Sequence, residues 1–402
     1  MARRTALVIR HLAERSGGAE RLYCELANFL AEDGHEVTCL YYDESSEPPF
    51  FAIDPRARLV NLHKGRTAML QPQKGRALKR RAFSFISRRF ANETTRRLMW
   101  NALNAEFVKG LQEHFRTDGT DLAISFLPPA NTPTLLAAKG TATKVIPTNH
   151  NVPAEDYASP DRWDPSPYDQ KLRLSALDHA AAIHVLFERF AEWFPDRLRE
   201  RVVAIPNYVS REILDQPPAP ARDKVIMAVG RLAPVKNYET LLDAWNLISD
   251  KYRDWSVVVY GTGPQRKYLE DKARRYRIDD SFRFAGHRGD MGTEYARGSI
   301  LCHPALFEGF GLSVAEALAL KMPVVAFADC DGVKEYVVDF YNGLMVDRAG
   351  GAGALARALA RLIEDQELRE RLGANGPASI AEFSEGRYRA RWKQLIDKVL
   401  SQ

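Results

Sequence analysis

The 402-residue sequence lacks any apolar run close to the roughly 20 residues that a membrane-spanning helix requires. Charge interrupts residues 1–10 too early for a signal peptide, which favours a cytoplasmic location. The four cysteines, Cys24, Cys39, Cys302 and Cys330, are far apart and show no metal-ligand spacing. We therefore expect reduced cysteines that pack in the interior, rather than disulfides or zinc ligands.

Acidic residues are nearly absent from one basic segment. The net charge is only +5, yet nine Lys and Arg residues lie between Lys74 and Arg97 against a single acid, Glu93. Phe83, Ile86 and Phe90 recur there at helical spacing. Such a helix can lie on an anionic membrane surface or pack its apolar stripe on its own domain. No recognition motif supports nucleic-acid binding. The cations predicted to face a membrane or an acceptor are Lys79, Arg80, Arg81, Arg88 and Arg89.

Apolar, β-branched runs alternate with helical patterns along the chain, which predicts parallel α/β sheets. A proline-rich stretch, residues 216–223, resembles an interdomain linker and a hinge. We predict an N-terminal domain over residues 1–208 and a second α/β domain over 209–383, facing each other across a cleft. A helix over 384–402 is expected to pack back on the first domain. The predicted strands are 5–10, 36–42, 121–126, 144–148, 181–186, 202–205, 225–229, 256–260, 282–285, 299–303, 323–327 and 343–346.

The segment 308–316, Glu-Gly-Phe-Gly-Leu-Ser-Val-Ala-Glu, is the most informative stretch. It joins an apolar strand to an apolar helix that is expected to begin near Ser313. Glycine backbone and a helix start can receive phosphate, while Glu308 and Glu316 can accept hydrogen bonds from sugar or ribose hydroxyls. Alternatively, Ser313 and Glu316 form a capping box in which Glu316 reaches back to the Ser313 amide.

Three loops offer further candidate ligand contacts. Arg231 and Lys236 follow the first strand of the second half and could bracket a diphosphate, although loop cations are commonly solvated. Gly17 and Gly18 open a helix near the N-terminus, where a plain tight turn explains them equally well. Their spacing fits neither a dinucleotide fingerprint nor a P-loop. His150 ends a strand and could bind a substrate hydroxyl or serve the structure alone.

Five motifs occur in order along the second half. They are Gly230-Arg231 to Lys236-Asn237, Gly261-Thr-Gly263-Pro264, Phe284-Ala-Gly286-His287, the 308–316 segment and Asn342-Gly343. Together they resemble the retaining glycosyltransferases of family four, which have the GT-B fold of two Rossmann-like domains. The resemblance covers nearly the whole chain.

The resemblance implies a role for each matching position. Glu316 would bind the nucleotide ribose and Glu308 the donor sugar, while Arg231 and Lys236 would bind the diphosphate. Glu308, Arg231, Lys236 and His150 form the implied catalytic set, although His150 is followed by Asn rather than by the Asp of some members. Further donor-binding positions implied in this way are Gly17, Gly18, Gly263, His287, Arg288, Gly309, Phe310, Gly311, Leu312 and Ser313.

The implied reaction transfers a hexose or N-acetylhexosamine, with retained configuration, from a UDP-sugar or, second, GDP-mannose. The acceptor would be a lipid-linked or cell-surface polysaccharide at the inner face of a bacterial membrane. No metal or other cofactor is expected. A GT-B nucleotide-sugar epimerase is the nearer alternative, and a non-catalytic nucleotide-sugar sensor or scaffold is the alternative from another class.

Overall fold

Two parallel β-sheets organise the chain. The computed structural model describes residues 3–45, 47–63, 92–159, 167–217, 219 and 221–402. Its first compact unit comprises Met1–Ile205 with Trp392–Gln402, and its second comprises Pro206–Arg391. The sequence had placed this division between residues 208 and 209.

The first unit contains a seven-stranded sheet in the order β3-β2-β1-β4-β5-β6-β7, with every pair parallel. Its central strands are buried and apolar because helices cover both faces of such a sheet. The strands are β1 Arg4–Ile9, β2 Glu36–Tyr41, β3 Arg58–Asn61, β4 Leu122–Phe126, β5 Lys144–Thr148, β6 Ile183–Val185 and β7 Val202–Ala204. The helices are α1 Gly18–Glu32, α2 Glu93–Thr117, α3 Pro128–Ala137, α4 Pro153–Tyr157, α5 Pro167–Ala176 and α6 Asp196–Arg199.

The second unit contains a six-stranded sheet in the order β10-β9-β8-β11-β12-β13, again entirely parallel. In its core, helix residues such as Trp245 and Leu359 pack against the strands. The strands are β8 Val225–Val229, β9 Ser256–Tyr260, β10 Phe282–Gly286, β11 Ile300–His303, β12 Val324–Phe327 and β13 Gly343–Val346. The helices are α7 Arg211–Leu214, α8 Tyr238–Ile248, α9 Arg266–Tyr276, α10 Met291–Arg297, α11 Leu312–Ala319, α12 Gly351–Glu364, α13 Gln366–Ala374 and α14 Gly376–Ser379.

The last helix, α15 (Glu385–Ser401), begins in the second unit and ends in the first. Its Trp392 is fully buried, with its ring centroid 5.0 Å from that of His184 in the first unit. Lys144 Nζ donates to the Val399 carbonyl at 2.8 Å, and Arg3 pairs with Asp397. The prediction of two Rossmann-like sheets with a C-terminal helix that returns to the first is therefore confirmed.

Most of the basic segment, including Lys79, Arg80, Arg81, Arg88 and Arg89, lies outside the described residues. The proline-rich stretch falls inside the second unit, where Arg222 donates to the Tyr295 carbonyl at 3.2 Å, so the predicted hinge does not coincide with the boundary.

All four cysteines are buried and free, as expected. Within the described ranges, no helix combines the length and hydropathy needed to cross a membrane.

Candidate functional site

The candidate site lies where β8 and β11 are neighbours in the second sheet. The strand order reverses there, and loops that follow such a pair diverge and leave a crevice at the carboxyl edge. These loops are residues 230–237 after β8 and 304–311 after β11. The Leu306 amide donates to the Val235 carbonyl at 2.8 Å and so joins the two loops. Most residues predicted to bind a donor lie in them or just beyond.

Lys236 and Glu308 form an ion pair across these loops, with Lys236 Nζ donating to Glu308 Oε2. Their side chains are only 18% and 20% exposed. Burial opposes ionisation of Glu308, yet the charge of Lys236, followed by the nearby His303, outweighs burial and lowers the pKa of Glu308 to about 2. Two side chains with separate predicted roles are thus in direct contact.

His303 is a site residue that the sequence did not identify. It ends β11, its side chain is 3% exposed, and its Nε2 lies 3.4 Å from Glu308 Oε2. Burial lowers the pKa of His303, and the positive charge of Lys236 lowers it further. Glu308 acts in the opposite direction, but its effect is smaller. A polar residue at the end of an otherwise apolar, fully buried strand was the available signal.

The backbone around Lys236 is shaped so that its side chain can reach Glu308. A short 3₁₀ turn, Pro234–Lys236, ends at Asn237, which has a left-handed φ of 52° and leads into α8. Gly230 has a φ of 147°, and an added Cβ would lie 2.9 Å from Tyr238 Oη and 3.1 Å from Lys236 Cε. Glycine at 230 therefore keeps the space through which the Lys236 side chain passes.

Gly263 has a packing role in this structure. A Cβ at Gly263 would overlap the Leu232 carbonyl, and one at Gly261 would overlap the Gly230 carbonyl. The loop after β9 thus lies directly against the loop after β8. Donor binding by Gly263 remains a prediction.

Helix α11 begins one residue before the expected Ser313, and the alternative of a capping box does not hold. The N-cap is Gly311, with φ 82° and ψ 59°, and the helix begins at Leu312 without a side-chain cap. Glycine suits this left-handed conformation, whereas Ser313 is already inside the helix. Among the described residues, the amides of Leu312 and Ser313 have no acceptor, as is usual in a first turn, and can receive an anion. Glu308 Cγ would lie 3.3 Å from a Cβ at 311, so the helix start adjoins the ion pair.

Glu316 lies inside α11 and contacts a neighbouring helix. The residue is 8% exposed, and its Oε2 accepts a hydrogen bond from the Tyr295 hydroxyl at 2.9 Å. Tyr295 belongs to α10, so Glu316 links two helices of the second unit. Ribose binding by Glu316 remains a prediction.

An aromatic cluster holds the segment 308–311 in place. Phe310 is 2% exposed, and its ring centroid lies 5.5 Å from that of Tyr336 and 5.0 Å from that of Phe383. Tyr336 Oη lies 2.7 Å from the Phe310 carbonyl and 2.9 Å from that of Gly311. Phe310 therefore anchors the loop through its buried ring. Gly309 contributes its carbonyl, which would overlap a Cβ at Gly332.

The remaining donor-side cations are on the surface. Arg231 is exposed and has no ion pair with any described residue. His287 and Arg288 are also exposed and follow the end of β10. These three side chains occupy loops at the carboxyl ends of β8 and β10, where a ligand at the sheet edge could reach them.

The predicted residues of the first unit occupy its own strand ends. Gly17 is the N-cap of α1 and Gly18 its first residue. His150 follows β5, where its Nε2 lies 2.9 Å from Thr148 Oγ1 and its ring stacks on Phe126 at a centroid distance of 5.0 Å. Burial is the main cause that lowers the pKa of His150 well below its ordinary value, and the nearby His184 is the second cause. These contacts suit a neutral, structural histidine, and its catalytic role remains a prediction.

Asp43 is a second residue that the sequence did not identify. It follows β2 and is 8% exposed, and its Oδ2 accepts from the Leu12 and Ala13 amides at 2.6 and 2.9 Å. Its Oδ1 lies 2.9 Å from His11 Nδ1. Asp43 therefore fixes the loop that leads from β1 to the glycine pair.

Family comparison divides the chain as the sheets do. A profile described as Glycosyltransferase Family 4 matches residues 16–212, and one described as Glycosyl transferases group 1 matches residues 209–379. Together the two profiles cover the chain from the glycine pair to the segment before α15.

Relatives of known description are distant. A glycosyltransferase of Haemophilus influenzae described as uncharacterized is 29% identical over 178 residues, which span 44% of this chain but only 50% of the relative. A Campylobacter jejuni protein is 24% identical over 394 residues and 96% of both chains. It is described as a GalNAc-alpha-(1->4)-GalNAc-alpha-(1->3)-diNAcBac-PP-undecaprenol alpha-1,4-N-acetyl-D-galactosaminyltransferase.

Solved structures share the fold. Sucrose-phosphate synthase from Thermosynechococcus elongatus has a TM-score of 0.77 at 20% identity, with 99% of this chain and 100% of the other covered. Anabaena HepE, in complex with UDP and glucose, has a TM-score of 0.72 at 16% identity, with 99% of each chain covered. The two matched profiles and the two parallel sheets identify the chain as a member of the GT-B glycosyltransferases that join a Glycosyltransferase Family 4 domain to a Glycosyl transferases group 1 domain.

Proposed function

We propose that the protein transfers a hexose or N-acetylhexosamine from a nucleotide diphosphate donor to a hydroxyl group of a lipid-linked or cell-surface polysaccharide. The observation that carries this proposal is the Lys236–Glu308 pair beside the start of α11. An ammonium group and helix-start amides suit a diphosphate, and a carboxylate suits sugar hydroxyls. The site therefore offers one set of groups for the diphosphate of a nucleotide sugar and another for its sugar.

A UDP-sugar is the favoured donor and GDP-mannose the second. The Anabaena neighbour was solved with UDP and glucose, and the Campylobacter relative is described as an N-acetylgalactosaminyltransferase. Glu316 is the proposed ribose ligand, and the exposed His287 and Arg288 are proposed to lie near the base.

The chemistry proposed for the site is electrostatic. Negative charge grows on the diphosphate as it leaves, and Lys236, Arg231 and the amides of α11 stabilise that charge without a metal ion. A leaving phosphate oxygen accepts the proton of the attacking hydroxyl on the same face of the sugar, so configuration is retained. Glu308 then orients the sugar and need not act as a covalent nucleophile.

The first unit is proposed to bind the acceptor at the cytoplasmic face of a bacterial membrane. The Campylobacter relative is described by an undecaprenol-linked acceptor, and the basic segment 74–97 has the composition of a peripheral membrane contact. His150, Gly17 and Gly18 are the residues of this unit that we assign to the acceptor or the donor sugar.

A thermal-shift series with UDP-glucose, UDP-N-acetylgalactosamine and GDP-mannose, each with EDTA, tests donor binding. A donor present at about 100 times its dissociation constant should stabilise the protein by about 2.7 kcal/mol. Lys236→Met should abolish the shift, because the diphosphate loses its buried cation. Lys251→Met is the matched control, since Lys251 pairs with Glu364 on the exposed surface and should leave the shift intact. Absence of any shift for the unmodified protein would refute the proposal.

Product analysis separates transfer from the alternatives. Mass spectrometry of an undecaprenyl-diphosphate oligosaccharide incubated with the bound donor should show one added sugar, and NMR should show the donor's anomeric configuration in the product. Conversion of the donor sugar without acceptor would instead identify an epimerase. Binding without any product in either reaction would favour a sensor.

A further inference from the structure

One oxygen of Glu308 has two neighbours that can donate a hydrogen bond. Lys236 Nζ donates to Oε2, and His303 Nε2 lies 3.4 Å from the same atom. A nitrogen-to-oxygen hydrogen bond is ordinarily 2.7–3.2 Å long, so the His303 contact is not a formed bond. Within the described part of the chain, the buried His303 Nε2 has no hydrogen-bond partner.

Leaving a buried polar nitrogen without a partner is costly, and each such exception in a native protein calls for an explanation. His303 is held at the end of β11, so it is a fixed neighbour of Glu308, whereas Lys236 has a long, flexible side chain. The buried Tyr238 hydroxyl also has no partner among the described residues, and it lies beside Lys236 at Gly230. Two buried donors near Glu308 thus have no partner among the described residues, while Lys236 donates to Glu308 Oε2.

Donor binding would change this arrangement, and this step rests on the proposed function. A diphosphate competes with Glu308 for Lys236, and once Lys236 moves, Glu308 is left mostly buried without its cation. An uncompensated buried charge either acquires another partner or becomes neutral. We propose that His303 is a positioning residue that becomes the hydrogen-bond partner of Glu308 Oε2 when a donor diphosphate draws Lys236 away.

The charge state of His303 fits this role. Burial lowers the pKa of His303, so the imidazole is uncharged at neutral pH, and its Nε2–H tautomer can donate to Glu308 Oε2. Two ionisable side chains, Lys236 and His303, contact Glu308. Three others lie near enough that the charge of Glu308 adds to burial in raising their pKa values: Tyr238, Cys330 and Tyr336. None of these three supplies a cation. His303 is therefore the group placed to keep Glu308 ionised and oriented for the sugar.

Proton uptake on binding of UDP tests the proposal directly. Titration calorimetry at pH 6.5 in buffers of different ionisation enthalpy counts the protons that enter the complex. Unmodified protein and His303→Gln, whose amide can donate to Glu308, should take up the same number. His303→Leu, which has no donor, should take up about half a proton more, because Glu308 becomes protonated when Lys236 leaves.

The control is the same comparison in the Glu308→Gln background. There the additional uptake caused by His303→Leu should vanish, because residue 308 no longer titrates. Protonation of UDP itself cancels between the variants. Equal uptake by His303→Leu and the unmodified protein would overturn the proposal.

A second measurement needs no ligand. Lys236→Met imitates the departure of Lys236, and His303→Leu in that background should raise the pKa of Glu308 above its unfolded-state value. Such a group stabilises the folded state below the unfolded pKa, and that contribution is lost as the pH rises through the folded pKa. The thermal midpoint of Lys236→Met/His303→Leu, measured relative to Lys236→Met, should therefore be higher at pH 5 than at pH 7.5. Lys236→Met/His303→Gln should show no such trend.

Parallel pH profiles for the three proteins would refute the role of His303. If the unmodified protein binds neither UDP nor GDP, the proposed function fails while this stability comparison still decides the inference.

Discussion

Replacing Lys236 by Met tests how strongly the ion pair stabilises the second unit. Because the pKa of Glu308 falls from its ordinary 4.5 to about 2, the pair is worth roughly 3 kcal/mol at neutral pH. A fifth of the Glu308 side chain is exposed and His303 contributes part of the effect, so we expect Lys236→Met to cost about 2 kcal/mol. For a unit of this size, that lowers the thermal midpoint by roughly 4–8 °C.

The pH dependence has a definite sign. A carboxyl group with a lowered pKa in the folded state stabilises it above the unfolded pKa, and the contribution disappears as the pH falls toward the folded value. The difference between the unmodified protein and Lys236→Met should therefore be constant from pH 6 to 8 and shrink between about pH 4.5 and 2.

Circular dichroism follows the midpoint, and hydrogen exchange of peptides from β11 and α11, compared with β4, assigns the loss to the second unit. Adding Glu308→Gln should recover stability, because the amide removes the uncompensated charge. Lys251→Met, at an exposed pair, should leave the thermal midpoint nearly unchanged. The coupling would be refuted if Lys236→Met were as stable as the unmodified protein. It would also be refuted if the stability losses of Lys236→Met and Glu308→Gln simply added in the double variant.

Other parts of the molecule give three further tests. Gly311→Ala should cost about 2–4 kcal/mol in chemical denaturation, because φ is 82° and its Cβ would lie 3.1 Å from the nearest side-chain atom, whereas Gly34→Ala, with φ 86° and open space, should cost only about 1–2 kcal/mol. Tyr295→Phe should weaken UDP binding about 3–10-fold by calorimetry if Glu316 holds the ribose, and unchanged affinity would contradict that role. Neutralising five of the nine cations in the segment 74–97 should reduce flotation with anionic liposomes, and equal flotation would exclude the membrane contact; the five are Lys79, Arg80, Arg81, Arg88 and Arg89.

The strands were predictable because parallel sheets covered on both faces require uninterrupted apolar runs. Residues 144–148, 225–229, 256–260 and 343–346 form strands with the predicted bounds. β3 was missed because Arg58–Asn61 is a short edge strand without a fully buried residue, so its sequence carries neither an apolar run nor alternation.

The helix start was not predictable from the capping-box pattern. Ser313 and Glu316 have the right spacing, but Gly311 can adopt a left-handed conformation that begins the helix earlier. The Tyr295 hydroxyl then competes for Glu316 from a helix that is distant in sequence. A local pattern cannot report a partner that only the tertiary structure supplies.

Some motif residues have a packing role in the structure. Asn342 is fully buried, where its side chain accepts from the Val338 amide at 2.8 Å and donates to the Tyr336 carbonyl at 2.8 Å. Gly343 lies against the Val324 carbonyl, which leaves no room for a Cβ. The Asn342-Gly343 motif thus identifies the fold correctly while its residues hold the loop that carries Tyr336.

The contact between Lys236 and Glu308 could not come from the motifs, because the residues are 72 positions apart and belong to separate loops. It follows from the strand order, which makes β8 and β11 neighbours and brings the loops after them together. Because Lys236 is hydrogen-bonded to Glu308, the roles of the two side chains cannot be measured independently. Removing Lys236 also changes the ionisation of Glu308, and removing Glu308 frees Lys236 for a phosphate. The Glu308→Gln protein should therefore bind UDP at least as tightly as the unmodified protein even though it turns over more slowly, and a tenfold weaker affinity would show that Lys236 does not exchange partners.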